Sequence, residues 1–524
     1  MRQIPSLDFI WNHLEFFEGC LTSSELPEQE AFFQTVMKPS DPLTVLRSGI
    51  LRCFSASAMM TCFLWGALVA SEPPNIIFLL TDDQAAWAVG ANDSQAKTPH
   101  MDRLFHEGAH LENAFTVTPV CSPSRASLMT SRYGSELGIT DWIHPRREPT
   151  LGLSLDHLTF PELLKAHGYR TGLVGKWHIG RTDEYHPTQM GFDYFMGHRD
   201  GGWAPVDPTL EDQGKPRKFK GLTADVLGAH AVKFVRDHQE DRFFLAWHTR
   251  APHARWLPVA EEDWAPYEGY DPRLPHPNYP DLDVDRAKRM TREYLASVRS
   301  VDRNLGVLLA VLEELGLDEN TVILFSSDHG YNMAHNGIWH KGNGHWLLKK
   351  APAATQNIPQ GQRPNMYDTS IKVPTAVWWP SQIQKGIRIP QTVSNLDWYP
   401  TILEIAGIDE PKNVILRGRS FLPLLLGQAS PDWDNDLYAE YSTKHQSHTH
   451  MRMFRTPQWK LVRDFMNPSR DELFNLVDDP EETTNLLASP LEARSTQAYE
   501  FLSDSILSQM EEIRDPILTT VRLR

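Results

Sequence analysis

The sequence predicts an α/β fold: a large, mostly parallel sheet flanked by helices, followed by a smaller C-terminal α+β domain with an antiparallel sheet. Two observations predict it. Four short apolar runs without polar alternation, typical of strands buried on both faces, are separated by helical patterns. After Gly407 the runs become shorter, and Pro423 and Pro431 interrupt them. We therefore expect a larger domain over residues 73–428 and a smaller one over residues 429–524.

The four apolar runs each end at a cluster of polar residues. They are residues 75–80 before Thr81-Asp82-Asp83-Gln84, residues 171–174 before Gly175-Lys176-Trp177-His178, residues 243–247 before Arg250-Ala251-Pro252-His253, and residues 322–325 before Ser326-Ser327-Asp328-His329-Gly330. Sites in a parallel sheet lie at the carboxyl ends of the strands. The four clusters should therefore share one edge of the sheet.

Helical patterns connect these strands. Thr159 is a suitable N-cap, and Gly168 is a suitable stop for the helix that follows it. A second helix is predicted by apolar residues at helical spacing, Leu295, Val298, Val301, Leu305, Leu308, Leu312 and Leu315, which end at Gly316. In the smaller domain, residues 459–462 and 472–476 are expected to be strands. Residues 347–364, rich in Lys, Ala, Pro and Gln, are expected to form a surface loop.

Cys121 begins the run Cys121-Ser122-Pro123-Ser124-Arg125. Pro123 suits the first turn of a helix, which would place Cys121 at the positive end of the helix dipole, beside Arg125, where an anion is held. The other cysteines, Cys20, Cys53 and Cys62, lie in or before the apolar residues 56–70, which are predicted to be a secretion signal. Cys121 would therefore be the only cysteine of the mature protein. A cysteine without a disulfide partner is either an inert small hydrophobe or a reactive centre, and the neighbours of Cys121 favour a reactive centre.

Composition limits the possible partners. The chain has 524 residues and a formal net charge of −16, which argues against nucleic acid or an anionic membrane surface as the main partner. Residues 56–70 are apolar, follow Arg47 and Arg52, and end in small residues. This pattern predicts a signal peptide with cleavage near Ala70, within a leader over residues 1–70, although a buried helix is the alternative. We expect a secreted or periplasmic protein that is not stably inserted in a membrane after cleavage.

Three carboxylates, Asp82, Asp83 and Asp328, are predicted to share the sheet edge. Hard oxygen ligands favour Ca²⁺ or Mg²⁺ over zinc. The alternative is that the Asp-Asp pair caps a helix or turn. His329 could complete the metal shell or could only be hydrogen-bonded.

Five further residues could reach the same pocket. They are Arg125, Lys176, His178, His253 and Lys341. For Lys176, His178 and Lys341 the alternative is a solvated residue in a surface loop. A divalent ion together with Arg125, Lys176 and Lys341 would contribute five positive charges against the three negative charges of the carboxylates. The excess of about two positive charges suits a tetrahedral oxyanion.

As a set, these residues resemble the sulfatase family, within the alkaline phosphatase superfamily. Residues 121–125 are similar to its Cys-x-Pro-Ser-Arg signature, in which a formylglycine-generating or sulfatase-maturating enzyme oxidises the cysteine to Cα-formylglycine. The similarity extends from Pro74 to about Pro480. It includes residues 81–84, 175–180, 251–253, 327–330, 340–342 and 472–476.

The resemblance implies a sulfuric ester hydrolase that acts on a sulfate monoester, with a sulfated sugar or polysaccharide as the expected substrate. It implies that Asp82, Asp83, residue 121, Asp328 and His329 bind the metal, expected to be Ca²⁺ with Mg²⁺ as the alternative. It further implies that residue 121, as a hydrated aldehyde, is the nucleophile and that Arg125 activates it. Lys176 and Lys341 would hold the sulfate. His253 would protonate the leaving oxygen, and His178 would accept a proton from the second hydroxyl.

Two features depart from the family pattern. The family often has Asn where His329 stands here, and the loop between Lys341 and Asn365 is longer than usual.

Two other functions stay open. A phosphonate or phosphate ester hydrolase of the same superfamily is the alternative enzyme, and a binding protein on an inactive fold is the third possibility. Candidate pocket walls, for which a structural role is the alternative, are Trp142, His144, Arg146, Trp203, His335 and His345.

Overall fold

A ten-stranded sheet forms the centre of the protein. The computed structural model describes residues 73–521, so the predicted leader and signal peptide, with Cys20, Cys53 and Cys62, lie outside the described residues. The strands of the described part are β1 Asn75–Thr81, β2 Ala109–Phe115, β3 Arg170–Lys176, β4 Tyr194–His198, β5 Thr209–Asp212, β6 Lys215–Lys218, β7 Phe243–His248, β8 Thr321–Ser327, β9 Asn332–Met333, β10 Ile338–His340, β11 His345–Trp346, β12 Ala376–Trp378, β13 Ile387–Ser394, β14 Leu437–Tyr441, β15 Met451–Arg455, β16 Trp459–Asp464 and β17 Glu472–Asn475.

The helices of the same part lie between these strands and after them. They are α1 Pro99–Glu107, α2 Cys121–Thr130, α3 Gly134–Leu137, α4 Phe160–Ala166, α5 Thr223–Asp237, α6 Glu261–Trp264, α7 Val284–Leu315, α8 Asp368–Ile371, α9 Trp398–Ile405, α10 Leu422–Leu425, α11 Ala493–Glu512 and α12 Leu518–Val521. Residues 347–364 contain no helix or strand of this set, in agreement with the predicted loop.

The four predicted strands lie side by side in the main sheet. The sheet order is β13-β2-β12-β8-β1-β7-β3-β4-β5-β6, and β8, β1, β7 and β3 run parallel. Leu80 of β1 is opposite His248 of β7 and Ser326 of β8, so these strands end at the same level. The parallel sheet and the shared edge are confirmed.

Helices cover both faces of this sheet. Ile77 and Leu79 of β1 pack into one apolar core with residues of α5 and α7, whereas Ile76 and Phe78 pack into another with residues of α4 and α9. This alternation of a fully buried strand explains why β1 has no polar residue between its ends, Asn75 and Thr81. Helix α7 ends at Gly316, which has φ 65°, as its sequence predicts.

A four-stranded antiparallel sheet, in the order β14-β15-β16-β17, forms the C-terminal part together with α11. Leu502 and Ile506 of α11 pack against Leu461 and Leu473 of this sheet, in a core that also contains Cys121. The predicted sheet and helix are confirmed. Residues 73–521 belong to one compact unit, and the domain boundary at residues 428–429 stays a prediction. Among the described helices, none has both the length and the apolar character needed to cross a bilayer.

Candidate active site

The predicted site residues converge at the carboxyl edge of the parallel strands. Asp82 and Asp83 directly follow β1, and Asp328 directly follows β8. The Asp83 backbone N–H donates to Asp328 Oδ1 at 3.2 Å, which joins the two strand ends. Potential ligand atoms of Asp82, Asp83, Asp328 and His329 all lie within 4.8 Å of one another, and all four residues are buried.

Each carboxylate of this cluster is paired with one buried cationic side chain. Arg125 Nε lies 2.8 Å from Asp328 Oδ2. Lys176 Nζ lies 2.7 Å from Asp82 Oδ2, and Lys341 Nζ lies 2.6 Å from Asp83 Oδ1. Ions taken out of water at this depth are stable only when they are closely paired. The three pairs therefore explain how so many charges are buried together.

Two oxygen atoms of the cluster have no hydrogen-bond partner. They are Asp82 Oδ1 and Asp83 Oδ2, in side chains with no solvent exposure. Buried acceptors without a partner cost free energy, so their position needs an explanation. His329 Nδ1 donates to the Gly330 carbonyl oxygen at 2.9 Å, so Nε2, which lies 3.1 Å from Asp83 Oδ1, is the ring nitrogen that a cation could bind. Oxygen-rich ligands with one imidazole fit a divalent cation such as Ca²⁺.

The pKa values of the cluster indicate that it needs positive charge. Burial raises the pKa of Asp82 to about 8, although Lys176 opposes the shift. Burial alone would lower the pKa of His329, but the Asp328 carboxylate and the contact with Asp83 raise it to about 10. Without a cation the cluster therefore retains protons at neutral pH, which a divalent ion would displace.

Cys121 is the first residue of helix α2 and is buried beside this cluster. Its Sγ lies 3.8 Å from Lys341 Nζ. Burial would raise the pKa of the Cys121 thiol, but Lys176, Lys341 and His178 lower it well below its ordinary value. The position therefore stabilises negative charge on residue 121, as the sequence predicts. It is a free cysteine, and the structure describes no other.

A cavity of about 400 Å³ opens over residue 121. Four of the predicted site residues line it, namely Cys121, His178, His253 and Lys341. Arg125, Lys176 and the carboxylate cluster are packed around this group without lining the cavity. Such a volume is typical of sites that bind small molecules.

Two of the six suggested wall residues, Trp142 and His345, line this cavity. The others do not, and the suggestion was wrong for them. Trp203 stacks on His198 with ring centroids 4.9 Å apart, and His335 lines a separate cavity. Sequence reasoning missed further lining residues, which are Pro145, Asp200, Gly201, Gly202, His340, Asn343 and Gln446. The available signals were the consecutive glycines at 201 and 202 and the place of His340 in the motif over residues 340–342.

Gly201 lies directly against the imidazole of His178. A Cβ atom on Gly201 would lie 2.3 Å from His178 Cε1, which is shorter than the contacts that Cβ atoms make with non-bonded atoms. His178 Nε2 also lies 3.3 Å from the Ile143 carbonyl oxygen. A Cβ atom on Gly202 would lie 3.6 Å from His253 Cε1, an ordinary contact. The glycine pair thus allows the backbone to pass over both histidines.

His253 is held by one hydrogen bond in which its Nδ1 lies 2.7 Å from the Ala254 carbonyl oxygen. Burial lowers its pKa to about 3, and Lys341 and Lys176 add to this effect. A bound anion would offset these cations and raise the pKa, so protonation of His253 is coupled to anion binding.

Comparison with known proteins gives two matching family models. The model described as "Sulfatase" matches residues 74–408, and the model described as "N-sulphoglucosamine sulphohydrolase, C-terminal" matches residues 362–512. An N-acetylglucosamine-6-O-sulfatase of Bacteroides thetaiotaomicron is 25% identical over 85% of this chain and 88% of its own length. An N-acetylgalactosamine-6-sulfatase of Canis lupus familiaris is 29% identical over 69% of this chain and 68% of its own length.

A solved structure with the same fold superimposes with a TM-score of 0.71 at 23% identity, over 85% of this chain and 99% of the other. That structure is a complex with the substrate D-glucosamine-2-N,6-O-disulfate. At this identity the likeness shows the fold alone.

The carboxylate cluster predicts a test by metal removal. Treatment with a chelator should lower the melting temperature, and Ca²⁺ at about 100 times its Kd should restore about 2.7 kcal/mol, which corresponds to about 3 °C for a chain of this size. The Asp83→Asn variant should lose this response. Asp302→Asn, which changes a buried carboxylate outside the cluster, should keep it. Thermal unfolding of the wild type that is insensitive to both chelator and divalent cations would contradict a metal site.

Proposed function

The chain belongs to the sulfatase family and is a sulfuric ester hydrolase, and we propose that it removes sulfate from a sulfated sugar or polysaccharide. The observation that carries the proposal is the single cavity lined by Cys121, His178, His253 and Lys341, with the carboxylate cluster packed beside it. Nucleophile, proton-transfer groups and anion-binding groups are thereby brought within reach of one substrate.

Two groups would complete this site. Formylglycine made from Cys121 by a maturating enzyme would supply a hydrated aldehyde with two hydroxyl groups. A divalent cation, Ca²⁺ or Mg²⁺, would be held by Asp82, Asp83, Asp328 and His329, and would favour the ionised nucleophile and charge on the sulfate oxygens. The two unpartnered carboxylate oxygens and the tautomer of His329 support the fit.

Anion binding and proton transfer would be carried out by side chains of the protein. Lys341 lines the cavity and would hold a sulfate oxygen. The resemblance implies the same role for Lys176, but Lys176 contacts Asp82 and does not line the cavity, so that it and Arg125, which contacts Asp328, would add positive charge around residue 121. His253 would bind the anionic ester in its protonated form and give the proton to the departing alcohol oxygen. His178 would accept a proton from the second hydroxyl at residue 121.

The sugar substrate is supported by the names of the relatives and by the cavity. Sulfated hexosamines are the substrates named for the bacterial and canine relatives. The residues that line the cavity include Asn343, Gln446 and His345, whose amide and imidazole groups suit the hydroxyl groups of a sugar. Export to the periplasm or medium, proposed from the apolar segment near Ala70, would bring the enzyme to such saccharides.

Replacement of Cys121 tests the nucleophile. Cys121→Ala should reduce sulfate ester hydrolysis to the background rate while leaving the unfolding temperature near that of the wild type, because only one small side chain is lost. Peptide mass spectrometry of the active wild type should find formylglycine at position 121. A fully active preparation with an unmodified thiol would contradict the proposal. In parallel assays, a phosphonate monoester cleaved more efficiently than every sulfate monoester would favour the alternative enzyme.

The contact between Gly201 and His178 gives a second prediction. Gly201→Ala should lower kcat by about 10-fold to 100-fold, because the new methyl group displaces the imidazole, and misplaced catalytic groups cost rates of this order. Gly202→Ala, whose methyl group makes an ordinary contact with His253, should stay within about 3-fold of the wild type. In a His178→Ala background the Gly201→Ala change should have no further effect on kcat. An equal loss in both backgrounds would show that Gly201 does not act through His178.

A further inference from the structure

One wall of the cavity is built from two segments that are about three hundred residues apart in the sequence. Trp142 and Pro145 come from the segment after helix α3, and Gln446 comes from the segment after strand β14 of the C-terminal sheet. The substrate cavity is therefore not a product of the main sheet alone.

A single buried carboxylate, that of Asp141, fastens these segments together. Asp141 Oδ1 accepts the Trp142 backbone N–H at 2.9 Å, and Oδ2 accepts the Lys444 backbone N–H at 2.9 Å. The Tyr441 hydroxyl also donates to Oδ1, at 3.4 Å. His445 Nε2 adds a contact of 2.9 Å to the Trp142 carbonyl oxygen. The backbone of Trp142 is therefore fixed on both sides.

The indole of Trp142 is held by two imidazoles. Its ring centroid lies 4.8 Å from that of His144, at a tilt of 30°, and 4.9 Å from that of His445, nearly edge-on at 62°. The wall is also tied to the nucleophile helix, because the Ile143 backbone N–H donates to Ser122 Oγ at 2.9 Å. Trp142 is thus a rigid aromatic surface at a set distance from residue 121. Such a surface packs well against the C–H groups of a pyranose ring.

The charged residues that line the cavity can bind one sulfate group. Among the described residues that line it, Lys341 is the only lysine or arginine. Asp200 also lines the cavity, but its carboxylate is paired with Arg181 Nε at 3.3 Å, and Asn343 and Gln446 are neutral amides. A second sulfate on the sugar would meet no lysine or arginine among these lining residues, and Asp200, whose partner is Arg181, would not attract it.

We propose that Trp142 and Gln446 form the subsite for the sugar ring that carries the sulfate, and that this subsite selects a pyranose whose other substituents are uncharged. Asp141 is a positioning residue, which acts through Trp142 and the Lys444–Gln446 segment. The proposal rests on the proposed function, since it concerns the leaving group of the same reaction.

The experiment separates the sulfate subsite from the ring subsite. Trp142→Ala should raise the KM for N-acetylglucosamine 6-sulfate by about 10-fold, as expected for the loss of one aromatic contact, while the Ki of inorganic sulfate as a competitive inhibitor changes less than about 2-fold. Trp142→Phe should recover most of the loss. Trp433→Ala, which removes a half-buried tryptophan outside the cavity, should leave both constants unchanged. An equal rise in KM and Ki, or no change in KM, would overturn the role of Trp142.

Two further measurements complete the test. Asp141→Ala should raise KM in the wild type but add little in the Trp142→Ala background, whereas additive effects would contradict a positioning role. The wild type should hydrolyse N-acetylglucosamine 6-sulfate with a higher kcat/KM than D-glucosamine-2-N,6-O-disulfate, and the reverse order would overturn the uncharged subsite. If the wild type hydrolyses no sulfate ester at all, the proposed function fails. If it hydrolyses sulfate esters but shows the reverse order of kcat/KM, or additive effects of the two substitutions, only the ring subsite is overturned.

Discussion

Burial of three carboxylates and three cationic side chains at one edge of the sheet is the constraint on which the site depends. With all three carboxylates ionised, the pairs Arg125–Asp328, Lys176–Asp82 and Lys341–Asp83 contain equal numbers of positive and negative charges. A divalent cation bound to the two free carboxylate oxygens would make the group positive by about two charges. A pocket of that charge holds an anion even though the whole chain carries a net charge of −16.

The fold supplies this arrangement because parallel strands end at one edge. Strands β8, β1, β7 and β3 are neighbours, and each is followed by residues of the site. Helix α2 approaches the same edge with Cys121 as its first residue, where the helix dipole favours negative charge. These features could be predicted from sequence, because buried strands, helix starts and the polar residues after them depend on local patterns.

The walls of the cavity could not be predicted in the same way. Gln446 reaches the cavity because Asp141 binds the backbone of Lys444, a contact that no local pattern encodes. Trp203 and His335 are aromatic residues in polar loops, as Trp142 is, yet they point elsewhere. In sequence the three are indistinguishable, since only tertiary packing decides which ring lines the site. The glycines at 201 and 202 were visible, but their closeness to His178 and His253 was not.

The central claim is that the buried charges are arranged around one divalent cation. The most direct test is a crystal structure of the purified enzyme with anomalous scattering measured from a Mn²⁺ or lanthanide substitute for the native ion. We expect one anomalous peak, from an ion bound by Asp82, Asp83, Asp328 and His329. A well-ordered site without a peak, in which His329 still contacts Asp83 and both free carboxylate oxygens bind only water, would contradict it.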